Sequence, residues 1–125
     1  MGINLFAANA VIRLGYGIAA LTAPSKPVLG RIPLAPDTEE LPEARLFVRG
    51  FAAHQIAVAA VALAGLSRSS LRRPAMLLAA TIDAADITAA LIEARARGRL
   101  DPDLTGGIAF SAAGFVSALV ALPAE

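Results

Sequence analysis

Four apolar blocks, at residues 3–23, 46–66, 75–96 and 108–122, constrain this chain more than any other feature. A helix that crosses a bilayer needs roughly 20 mostly apolar residues. The first three blocks reach that length, and the fourth is short unless Thr105, Gly106 and Gly107 join its first turn. In hydrocarbon every backbone N–H and C=O must be satisfied within the protein, so the spans must be helices. A barrel is excluded by the length of 125 residues and by the absence of period-two alternation. The pattern predicts an all-α, four-transmembrane-helix up-down bundle: a single integral membrane domain over 1–125, with helices near 3–23, 46–66, 75–96 and 106–122.

The competing architecture is a soluble bundle, whose helices would each carry a polar stripe. Residues 56–66 have none, and 110–122 offer only Ser111 and Ser117. Charged residues make up 17% of the chain, against about 25% in soluble domains. The first block could in principle serve as a cleaved leader. No Lys or Arg precedes it, however, and Arg13 interrupts its apolar run, so it is expected to remain as the first helix.

Prolines and arginines punctuate the blocks. Pro24 and Pro27 stop the first helix. Segment 24–45 then holds five prolines and the acidic residues Asp37, Glu39, Glu40 and Glu43, and is long enough to fold over one mouth of the bundle. Residues 67–73 form a short turn that makes the second and third helices antiparallel, with Pro74 expected at the start of the third. Gly98 is a suitable C-cap for that helix. Four spans place both termini on one side. The Lys/Arg count of the loops favours the longer loops as cytoplasmic, whereas charge density favours the reverse. The net charge of +1 gives no reason to expect a nucleic-acid partner.

Ionisable residues inside the spans need a physical explanation, because a charge at mid-bilayer costs at least about 2.5 kcal/mol. Asp83 and Asp86 are three residues apart on one helix side, on a stripe that continues through Ala90, Glu93 and Arg97. Arg13 is the basic residue at matching depth, so its guanidinium is predicted to bridge Asp83 and Asp86. Tyr16, one turn on, is placed to hydrogen-bond the same network. Arg49 lies one turn inside the second helix and can snorkel to the interface. His54 and Gln55 are deeper and are expected as outer members of the network. With one His and no Cys, a zinc site is disfavoured. Asp83, Asp86 and Glu93 leave a carboxylate metal site as a lesser option, and no cofactor is expected.

Three stretches resemble small four-helix integral membrane proteins of high-GC bacteria. They are Arg13 to Gly17 with the Leu21-Thr22-Ala23-Pro24 ending, Phe47-Val48-Arg49-Gly50-Phe51-Ala52-Ala53, and Asp83-Ala84-Ala85-Asp86. The resemblance implies the fold and a bacterial plasma-membrane location. It assigns no catalytic activity, since that family has none established.

The size, the Ala-rich faces and the lack of a positioned nucleophile favour a non-enzymatic role as an accessory or scaffold subunit of a larger membrane complex. Its expected partners are membrane lipids and another membrane protein or a second copy. The alternative is a binding or transport module for a lipid or small amphiphile that uses the Arg/Asp cluster. That alternative requires open volume beside Arg13 and Asp86. An intramembrane enzyme with Asp83, Asp86 or His54 as acid and base is a weaker third reading.

Overall fold

The computed structural model describes residues 1–23 and 42–122, the side chains of 42–45 excepted. Four helices account for nearly all of these residues: α1 (Gly2–Thr22), α2 (Pro42–Ser67), α3 (Ser69–Arg97) and α4 (Pro102–Ala121). Among the described residues there are no strands. The expectation that segment 24–45 folds over a mouth falls mainly on 24–41, which lie outside the described residues. Residues 42–45 form the first turn of α2.

The helix limits follow local chemistry. Asp101 caps α4, its side chain accepting a hydrogen bond of 3.0 Å from the Leu104 N–H, and Pro102 occupies the first helical position. Gly98 ends α3 in the left-handed region at φ 67°, after Arg95 and Arg97 in the last turn. The α2–α3 turn is tighter than the sequence suggests. Only Arg68, extended at φ −132°, separates the two helices, and α3 begins five residues before Pro74. The N–H groups of the first turn have no intrahelical acceptor in any helix. Pro74 lies just beyond that turn and removes a single bond, to the Ser70 carbonyl, so it is tolerated. A Cβ at Gly65 would collide with the Cβ of Ala75, and this glycine allows α2 to turn so closely into α3.

The helices pack in ring order, each against its two neighbours. Among the described residues neither diagonal pair, α1 with α3 or α2 with α4, makes a close backbone approach. The interior is layered. At one end Phe6, Ala10, Val58, Met76, Ala80 and Ala118 belong to an apolar cluster. Toward the other end lies a smaller cluster of Tyr16, Ala20, Val48 and Ala52. Between them sit the buried polar residues Arg13, Gln55 and Asp83, with Ser111 and Ser117 on α4. Alanine supplies much of this core, letting helix backbones approach closely where dispersion replaces the hydrophobic drive.

The polarity is inverted relative to a water-soluble bundle. Arg13, Gln55 and Asp83 are buried, whereas Val11, Ile12, Ile18, Leu91, Ile92 and Val120 face outward. Each helix contains a stretch long and apolar enough to cross a membrane, and only 28–33% of each stretch is buried in the bundle. The outward remainder is apolar, as a lipid-facing surface must be. The fold is a four-helix, multi-pass integral membrane bundle.

Candidate functional site

The centre of the bundle is a cage around Arg13. Its Nε donates to Asn9 Oδ1 at 2.8 Å, one turn earlier on α1. One terminal nitrogen donates to Gln55 Oε1 on α2 at 2.8 Å. The other makes a charge-assisted hydrogen bond to Asp83 Oδ1 on α3. The guanidinium carbon also lies 5.0 Å from the centre of the Phe110 ring on α4, within cation–π range. All four helices therefore meet at one side chain, which spans the α1–α3 diagonal that the backbones leave open. Arg13 and Asp83 are 2% and 1% exposed, so this is a dry pair.

Gly114 on α4 makes room for the pair. A Cβ there would overlap the Arg13 guanidinium and the Asp83 carboxylate. Phe110 and Gly114 are one turn apart on the same face, so α4 presents a ring beside a gap. The Ser117 hydroxyl donates to the Gly114 carbonyl at 2.7 Å and is thereby satisfied within α4. The Gln55 Nε2 group is buried with no hydrogen-bond partner among the described residues.

The structure corrects part of the predicted network. Arg13 does not bridge both aspartates. A three-residue step rotates Asp86 by about 60° from Asp83 and moves it roughly 4.5 Å along the axis. Asp86 lies instead near His54, with Oδ2 3.8 Å from Nε2. That distance suits an ion pair but exceeds a hydrogen bond, and neither atom has a hydrogen-bond partner among the described residues. Gln55 touches Arg13 directly and is no outer member. Arg49 is exposed and outside the cage. Tyr16 is buried, but among the described residues it makes no hydrogen bond to Arg13. Its ring packs edge-on to Phe51 and tilted against Phe110, with centroids 6.3 and 5.9 Å apart.

Beyond this aromatic floor, toward the α3–α4 turn, lies a cleft of about 700 Å³. Tyr16, Phe51 and Phe110 line it, as do Asp86, Ala90 and Glu93 from the α3 stripe. Phe110 thus belongs to both features, covering Arg13 and forming part of the cleft wall. Arg97 spans the rim, donating to Glu93 at 2.7 Å and Asp101 at 2.9 Å. The Leu104 N–H, and secondarily the Arg97 guanidinium, hold the Asp101 carboxyl below its usual range. On the outer α2–α3 surface His54 also lines an apolar groove of about 160 Å³ with Val58, Val61, Leu78 and Ile82. Among the described residues no group of three His, Cys, Asp or Glu side chains gathers to hold a metal.

Sequence reasoning missed Asn9, Phe110 and Gly114. Asn9 had a readable signal, since it stands four residues before Arg13 on the same helix face. Phe110 and Gly114 had none, because their roles depend on which face α4 turns inward.

Fold and polarity define a small multi-pass membrane protein with a buried Arg–Asp pair. No known protein family, curated protein or solved structure matches the chain.

Proposed function

We propose that this protein is a membrane-embedded binding module for a lipid or small amphiphile, and that its binding site is the cleft above the Arg13 cage. The observation that carries this reading is the cleft of about 700 Å³ beside Asp86. Its size falls within the roughly 300–1,000 Å³ of small-molecule sites, and it pairs aromatic walls with a few polar groups, as such sites do. The Arg13–Asp83 pair has a different job. The sequence placed the ligand on the Arg/Asp cluster itself. Among the described residues, however, the open volume lies beside Asp86 and not beside Arg13, which Asn9, Gln55, Asp83 and Phe110 enclose. The pair therefore holds the bundle and leaves ligand contact to the residues above it. An accessory or scaffold role rests on small size and Ala-rich faces, and nothing in the geometry favours it specifically. The bacterial plasma membrane, with both termini on one side, is the setting proposed from the motif resemblance and the even number of spans.

Tyr16 makes the test direct. The chain has one Tyr and no Trp, so intrinsic emission reports from the cleft floor alone. In lipid vesicles free of other protein, a brominated alkyl glucoside should quench Tyr16 saturably, and Ala90→Phe, which fills the cleft, should abolish the saturable component. Quenching that rises linearly and equally in both proteins is simple partitioning into the bilayer and would refute the reading.

A further inference from the structure

The charges that line the cleft are unequally committed. Arg97 is held between Glu93 and Asp101. Arg99 and Asp103 also line the cleft, close to the α3–α4 turn, and neither makes an ion pair among the described residues. Asp86 lies deeper, roughly 16 Å down α3 from Arg97 at 1.5 Å per residue. Its Oδ2 is buried and accepts no hydrogen bond, the His54 nitrogen being 3.8 Å away. A carboxylate oxygen with unused acceptor capacity inside a membrane bundle calls for an explanation. Tyr16, Phe51 and Phe110 line the same cleft, and aromatic rings attract cations. The lining as a whole carries four carboxylates, Asp86, Glu93, Asp101 and Asp103, against the two guanidiniums of Arg97 and Arg99. An anionic head group would meet a like-charged wall.

We infer that the cleft selects a cationic amphiphile, an ammonium or amine group on an apolar chain, with Asp86 as its counter-charge and Tyr16, Phe51 and Phe110 as its floor. The cation approaches Asp86 on the exposed part of its side chain, 29% of it, while the buried oxygen faces His54. The alkyl substituents of the cation lie against the rings. The apolar chain occupies the remaining volume along Ala89 and Ala90, where the lining is smooth. Asp83 cannot serve in this role, because its carboxylate is already committed to Arg13 and is 1% exposed.

This assignment rests on the cleft being the binding site, and a competition experiment separates the two. Vesicles of a zwitterionic lipid carry the protein, as their sole protein, with the brominated glucoside bound. Octyltrimethylammonium, octyl sulfate and octyl glucoside are titrated in turn, each corrected for partitioning into protein-free vesicles. The cation should restore Tyr16 emission at a concentration at least tenfold below that of the sulfate. Asp86→Asn should remove that preference, and Asp86→Glu should keep most of it. The selectivity of the unmodified protein among the three head groups needs no variant to fold. If quenching saturates but the three compounds displace alike, or the sulfate displaces best, the cation assignment is overturned while the cleft stands. If quenching never saturates, both fail together.

Discussion

At the scale of single residues, Arg13 shows how a costly group becomes a structural asset. An uncompensated mid-bilayer guanidinium would cost several kcal/mol. Here it has three acceptors and an aromatic face, so the cost is met by partners on all four helices. Gly114 is the permissive half of that arrangement. Gly114→Ala forces a methyl group into the ion pair and should destabilise the protein by about 1–3 kcal/mol, the usual range for overpacking. Gly15 is the matched control, because a Cβ there meets nothing within 4 Å. Gly15→Ala should be neutral or slightly stabilising, as alanine favours helix over glycine. Unfolding of the purified protein by SDS, followed by circular dichroism, distinguishes the pair; equal losses in both variants would contradict the role given to Gly114. Pairing of Arg13 with Asp83 was legible in the sequence from depth and charge alone. The separation of Asp86 from that pair was not, since both aspartates share a helix side and only packing decides which one turns fully inward.

At the scale of elements, the caps and spans follow from composition, whereas one boundary is set by tertiary contact. Apolar blocks, prolines and Gly98 mark where the helices run and stop. The start of α3 was hidden because Pro74 reads as a first-turn residue, while the close approach of Gly65 to Ala75 lets the helix begin at Ser69. The α3–α4 turn depends on Asp101, which caps α4 and accepts from Arg97. Its carboxyl titrates below the ordinary value, the Leu104 N–H being the main cause and Arg97 a lesser one. The contribution to stability is therefore complete above the unfolded pKa of about 3.9 and is lost as the pH falls through the lower folded value. Protection of the Leu104 amide against hydrogen exchange, corrected for its intrinsic rate, should decline in that acid window. Asp101→Asn keeps a capping oxygen and should show no such decline. A decline of equal size in that variant would place the acid response elsewhere.

At the scale of the whole molecule, inverted polarity was legible because a run of apolar residues around isolated charges has few stable solutions outside a membrane. The cleft was not, since its volume is enclosed between helices and depends on side chains from all four. Its α3 wall alone was foreshadowed, by the stripe from Asp86 through Ala90 and Glu93 to Arg97. The central claim is a division of labour: Arg13 with Asp83 locks the bundle, and Asp86 stands outside that lock, between His54 and the cleft. Two double-mutant cycles in SDS unfolding test it most directly, one pairing Arg13→Met with Asp83→Leu and the other pairing Arg13→Met with Asp86→Leu. Arg13→Met and Asp83→Leu should each cost about 3–5 kcal/mol, because each leaves a buried charge without its partner. Their combination should cost well under the sum, a coupling of about 2 kcal/mol or more, whereas the Asp86 cycle should be additive to within about 0.5 kcal/mol. Additive losses in the Asp83 cycle, or equal coupling in both, would contradict the account.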